Sequence, residues 1–144
     1  MILIDFTIVK NWVGHPTGIA RVVEQISKEL ESLVESTRIY FDTESEEFRS
    51  VADDEVVRFK ASDIVLLMGN GWDWQGLNKV LYNKKLESNF RICSLIHDLI
   101  PLKLPYSFGP GFLDVYMKWL VEVNELSDVV LAVSKSTLKD YLEF

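Results

Sequence analysis

Nearly unbroken apolar runs alternate along this chain with stretches whose apolar residues recur every three or four positions. The runs are ILIDFTIV (2–9), TRIYFD (37–42), DIVLLMG (63–69), FRICSLIH (90–97) and DVVLAVS (128–134). Several show little polar–apolar alternation, the pattern of strands buried on both faces of a parallel sheet covered by helices. Between the first two runs, Ile19, Val22, Val23, Ile26, Leu30 and Leu33 share one helical face over 18–35, with Glu24, Lys28, Glu31 and Glu35 outside. Further helices are predicted at 73–88, with Asp73 as its cap, and at 110–127, with Phe112, Leu113, Tyr116, Trp119, Leu120 and Val123 inward. A last helix is predicted at 135–143 behind Ser134 or Ser136. This order predicts an α/β fold: a Rossmann-like, doubly wound, mostly parallel sheet flanked by helices. The acidic segment 43–62 breaks the pattern and reads as a surface connection with solvated charges and one short strand at 56–59.

Composition narrows the function classes. With 48% hydrophobic and 26% charged residues, the 144 residues have the make-up of one soluble globular domain. A net charge of -7 and a pI near 4.8 give no electrostatic footprint for a polyanion and argue against nucleic acid as a partner. Cys93 is the single cysteine, so no disulfide forms within the chain; a buried, reduced thiol is expected, in keeping with the cytosol. The opening MILIDFTIVKNW lacks the features of a signal peptide, and no run reaches the roughly 18 apolar residues of a membrane span. The expected location is the cytoplasm, and peripheral contact with the inner face of a membrane is compatible with the same features. The 2 histidines and 1 cysteine are too few for a zinc site without carboxylates, so neither metal nor cofactor is predicted.

In an open α/β sheet ligands bind beyond the carboxyl ends of the strands, and here the residues that end the runs carry chemistry. GHPTGIAR (14–21) links the first run to the first helix and is neither a dinucleotide-binding nor a phosphate-cradling glycine motif. Gly14 and Gly18 nevertheless allow close backbone approach, Thr17 is placed to cap, and the helix N–H groups favour an anion. Arg21, in the first helical turn, opposes the macrodipole by a few tenths to about 1 kcal/mol. Glu24, on the same face, or an anionic ligand would compensate it. The plainer reading of the stretch is a turn followed by an N-cap. GNGWDWQG (69–76) sets Trp72 and Trp74 beside glycines, either as indole faces for a pyranose ring or as core residues. HDLIPLKLP (97–105) places His97 and Asp98 where a strand stops, before two prolines expected to force an extended loop. A histidine there is either a hydrogen-bonded structural residue or a group facing substrate. Ser134 ends the last run.

Taken in order, the Gly-rich loop running into TGIARVVEQISKEL, then IHDLIPLKLP, then NELSDVVLAVSKSTLKDYL resembles the N-terminal domain of GT-B-fold, nucleotide-sugar-dependent retaining glycosyltransferases of family four. That family commonly shows a Gly-Ile-Ala-Arg helix start, a His-Asp-Leu-Ile-Pro segment, and an acidic residue before a strand closing in Val-Ser. The resemblance runs from the first strand to the last residue and is weakest over 43–88. It implies the acceptor-side domain of a transferase acting on a glycan or lipid-linked saccharide, as in polysaccharide biosynthesis. The donor-binding half would then be a further domain or a partner chain. By the resemblance His97, the catalytic candidate, approaches the transferred sugar, Gly14 and Gly18 line a loop near the donor phosphates or acceptor, and Ser134 lies at the cleft floor. Thr17, Arg21, Trp72 and Asp98 complete the substrate-binding candidates, with the nucleotide sugar as substrate rather than cofactor. The resemblance further implies that these 144 residues alone do not transfer sugar, and that an uncovered domain face favours self-association. Two other readings stand beside it: a non-catalytic sugar- or nucleotide-binding module completed by a separate donor-binding chain, and a hydrolase using Ser134, His97 and Asp98. The second lacks the G-x-S-x-G elbow, because Ser134 lies in AVSKS.

Overall fold

One six-stranded sheet organises the computed structural model, which describes residues 1–144. The chain runs through β1 (Ile2–Asp5), α1 (Thr7–Lys10), α2 (Gly18–Leu33), β2 (Ser36–Asp42), β3 (Glu47–Ser50) and β4 (Ile64–Leu67). It continues through α3 (Leu77–Ser88), β5 (Arg91–Ile96), α4 (Ile100–Lys103), α5 (Phe112–Leu126), β6 (Val129–Ala132) and α6 (Lys135–Leu142), with 3-10 turns at Gly71–Asp73 and Pro105–Ser107. Across the sheet the order is β3-β2-β1-β4-β5-β6, and only the β2–β3 pair is antiparallel. This is a Rossmann-like α/β fold. The chain builds outward from β1 to β2 and then returns to β4 on the other side, so the strand order reverses between β1 and β4, where such sheets open a crevice.

Both sheet faces are covered, which is why the runs read as unbroken apolar sequence. On one face Leu3, Val65 and Ile92 pack with Leu77 and Leu81 of α3 and with Phe41 and Phe90. On the other, Ile4 and Met68 meet Ile8 of α1 and Ala20 and Val23 of α2. A third cluster joins Ile96 and Leu99 to Tyr116, Trp119, Leu120 and Val123 of α5. Each large side chain so buried contributes roughly 1.5–3 kcal/mol. Leu33, expected on the buried face of α2, is exposed at the helix's last residue. Cys93 is half-buried rather than sealed, and that burial pushes its thiol up. Beyond α5 the sheet is thinly covered: Val130 packs inward, whereas Val129, Leu131 and Val133 leave their side chains exposed on the opposite face. No helix is long and apolar enough to cross a membrane.

Four expectations need correction. The first strand stops at Asp5 because its carboxylate accepts the Thr7 N–H at 3.1 Å and the Thr7 hydroxyl, turning the chain into α1. Segment 43–62 is not a solvated connection: β3 pairs with β2, and Phe48 and Phe59 are buried in a ring series with Phe41 and Phe90 at centroid distances of 5.2, 5.8 and 4.6 Å. The strand expected at 56–59 reduces to one bridge between Arg49 and Val56, and charges pair, Arg49 with Asp42 at 3.4 Å and Glu47 with Lys84 at 3.6 Å. The third helix starts at Leu77 behind Gly76 at φ 91°, while the Asp73 carboxylate closes the preceding turn on the Asn70 amide instead of capping. The prolines open helical turns rather than forcing an extended loop: Pro101 lies in the first turn of α4 and Pro105 begins a 3-10 turn, where a missing N–H costs nothing.

Candidate functional site at the strand ends

His97 follows β5 directly and is half-buried. Its Nε2 lies 2.7 Å from the Met68 carbonyl at the end of β4. A carbonyl only accepts, so Nε2 carries the hydrogen, and Nδ1 is the ring nitrogen without a protein partner. The backbone is held as well: the buried Thr137 hydroxyl donates to the His97 carbonyl at 3.0 Å. The exposed Asp98 carboxylate accepts the Ile100 N–H at 3.0 Å, and the Asp98 carbonyl accepts the Tyr116 hydroxyl at 2.6 Å. Burial, and secondarily the Asp98 charge, push the Tyr116 phenol far above its ordinary value, so it remains a donor at neutral pH. Around these groups lies a cavity of about 160 Å³ lined by Ile19, Trp72, His97, Asp98, Phe108 and Phe112 among others. Trp72 packs edge-on to Trp119 with centroids 4.8 Å apart, so it is at once part of an aromatic cluster and part of the cavity wall.

The structure thus brings His97, Asp98 and Trp72 together, and Ile19 carries the first turn of α2 to the same cavity. The other residues of GHPTGIAR lie on the open loop outside that wall. Gly14 (φ 86°) and Gly18 (φ 54°) occupy the left-handed region, and a Cβ at either would meet nothing within 4 Å. Thr17 holds the N-cap position of α2, yet its side chain makes no capping hydrogen bond, contrary to expectation. The N–H groups of Gly18, Ile19 and Ala20 consequently meet no protein acceptor. Arg21 is exposed and forms no ion pair, because Glu24 is engaged by Lys28 at 3.3 Å. Ser134 is not on the cavity wall. Its Oγ accepts the Thr137 N–H at 3.1 Å, capping α6, and lies 3.0 Å from the Thr137 hydroxyl. No hydrogen bond joins it to the His97 ring, so the hydrolase arrangement is not formed.

Four residues escaped the sequence reading. Asp5 ends β1 beside the crevice, 4% exposed and without an ion-pair partner; burial pushes its carboxyl up, against the two hydrogen bonds from Thr7. It was the one acid inside the first apolar run, and that was the available signal. Gly71 lets the Trp119 indole approach so closely that a Cβ would sit 2.5 Å from Nε1. Trp119 and Asn78, readable only as helix positions, border a second, larger cleft of about 540 Å³ that shares Trp72 and Trp119 with the His97 cavity. Nowhere do three His, Cys, Asp or Glu side chains converge to hold a metal. No family model, curated protein or solved structure matches the chain. Fold and site together define a Rossmann-like α/β domain with an aromatic-walled histidine cavity at the carboxyl ends of its strands.

Proposed function

We propose that the chain is the acceptor-side domain of a nucleotide-sugar-dependent, retaining glycosyltransferase acting on a glycan or lipid-linked saccharide. The observation that carries this reading is the single cavity in which the first turn of α2, the His97–Asp98 segment and Trp72 meet at the strand ends. In transfer, the bond from the sugar's anomeric carbon to the donor phosphate breaks, a bond from that carbon to an acceptor oxygen forms, and the acceptor proton passes to the departing phosphate. His97 presents Nδ1 to a hydroxyl of the sugar being moved, with its ring fixed by the Met68 carbonyl. The unpartnered N–H groups at the start of α2, together with Arg21, face the donor's phosphate side and favour negative charge. The donor's nucleotide is held by a further domain or partner chain, which supplies the positioning that transfer needs. Work takes place in the cytoplasm, with a lipid-linked acceptor at the inner membrane face.

The test is release of nucleoside diphosphate from UDP-, GDP- and ADP-sugars by the product of the native reading frame, supplied with a glycan and membrane extract. Release that falls at least tenfold in His97→Ala, with the product anomer matching the donor, supports the proposal. Donor binding without release would make the protein a binding module. No release from any of these donors rejects the transferase.

A further inference from the structure

We infer that the cleft on the far side of Trp72 is a binding site for an uncharged, hydroxyl-rich ring, that is, a neutral saccharide. The chain has 4 tryptophans. Two indole N–H groups are satisfied within the protein: Trp12 donates to the His15 carbonyl and Trp74 to the Asn70 side chain, both at 3.2 Å. The two without a protein acceptor belong to Trp72 and Trp119, and both line this cleft. Trp119 is 7% exposed as a residue, and its indole N–H, which no protein acceptor engages, borders a space of about 540 Å³. On the same wall Asn78, 8% exposed, donates its amide N–H to Glu122 at 3.0 Å while its Oδ1 has no partner. Buried polar atoms are normally paired, so Asn78 Oδ1 is left wanting a donor, which an occupant of the cleft would supply.

The partner's chemistry follows from the rest of the wall. Half-buried Trp72 and Trp74 offer aromatic surface, which suits the C–H side of a pyranose. The rim carries three carboxylates, Glu46, Asp73 and Glu122, and two lysines, Lys79 and Lys118. Lys118 lies 3.8 Å from Glu122, which leaves two carboxylates facing one lysine and makes the cleft unfavourable for an anion. Vicinal hydroxyls, which both donate to carboxylates and accept from an indole N–H, match this set; a phosphate does not. The site therefore differs in charge preference from the loop at α2, and it rests on the transferase reading only in taking the bound saccharide for the acceptor.

The experiment follows the four indole N–H resonances of the ¹⁵N-labelled protein during titration with maltotriose, mannotriose and chitotriose, and with glucose 1-phosphate as the charged comparison. At least one neutral trisaccharide is expected to shift Trp74, which lines this cleft and not the His97 cavity, together with Trp119 and Trp72, while Trp12 stays in place. Trp119→Phe, which keeps a ring but removes the N–H, should weaken that binding about fivefold, the weight of one neutral hydrogen bond. Asp73→Ala, on the exposed rim, should weaken it as well without touching the core. The inference is overturned by the absence of a Trp74 shift with all three trisaccharides, by an equal response to glucose 1-phosphate, or by unchanged affinity in both variants. Trisaccharide shifts without donor turnover would reject the transferase and leave this site standing. Turnover without the shifts would do the reverse.

Discussion

Gly71 lines the larger cleft against Trp119, and its replacement by alanine has a calculable effect. The added methyl carbon would lie 2.5 Å from Nε1 and 3.2 Å from Cδ1 of Trp119. An unstrained contact needs roughly 3.5 Å, so the indole must retreat by about 1 Å. It has little room: Trp119 is 7% exposed and packs against Trp72 and Tyr116 at centroid distances of 4.8 and 5.3 Å. Gly71 is not in the left-handed region, so the whole cost is steric overpacking, about 1–3 kcal/mol. For 144 residues the unfolding entropy is about 0.3 kcal/mol/K, so Gly71→Ala should lower Tm by roughly 3–10 °C. Thermal unfolding followed by far-UV circular dichroism measures this, and near-UV spectra report the displaced indole. Gly109→Ala is the control: no atom lies within 4 Å of its Cβ position and its φ is outside the left-handed region, so its Tm should match the wild type. A Gly71→Ala protein that melts within about 1 °C of wild type, with an unchanged near-UV spectrum, would refute the steric argument.

Four further outcomes are expected. Gly18→Val, at φ 54° in open surroundings, should keep the fold at a cost of about 1 kcal/mol while reducing donor affinity and transfer by the full-length protein; intact affinity and rate would make the loop a mere turn. Ser134→Ala should destabilise by about 1 kcal/mol through loss of the α6 cap, and wild-type protein should resist serine-directed fluorophosphonates; efficient labelling of Ser134 would restore the hydrolase. Asp5 has a raised folded pKa, so its ionised form costs stability at neutral pH, and that cost fades as pH falls through the folded value and is gone below the ordinary aspartate value of 3.8. Asp5→Asn should thus be more stable than wild type in urea titrations at pH 7, with the advantage shrinking in acid; a destabilised variant at pH 7 contradicts this. Finally, the bare Val129, Leu131 and Val133 face should give weak, concentration-dependent self-association, and a constant monomer in sedimentation at high concentration would count against it.

The parallel strands β1, β2, β4 and β5 were legible because burial on both faces writes long apolar runs, β6 because its exposed face is apolar too, and α2 and α5 because one-sided burial writes a helical stripe. The end of β1 was not, since Phe6, Ile8 and Val9 are as apolar in a helical turn as in a strand; the Asp5–Thr7 hydrogen bonds decide the matter. The edge strand β3 hid for a related reason. Only Phe48 of its four residues is buried, too short a pattern to separate from a loop. His97, Asp98 and Trp72 could be singled out because each ends or follows an apolar run. That they share a wall with Trp119, forty-seven positions from Trp72, depends on how α5 crosses the sheet, and no local signal encodes it. Thr17 failed as a cap because its residue type fits the role while its side chain turns away from it.

Trp72 and Trp119 border two spaces of unequal character, and a wall common to two compartments would transmit force between them. A molecule that pushes the indole from one side takes volume from the other, so the occupants are thermodynamically linked without touching. Linkage is reciprocal: whatever factor the first imposes on the affinity of the second, the second imposes on the first. A wall held in common by Trp72 and Trp119 would let either occupant be felt by the other.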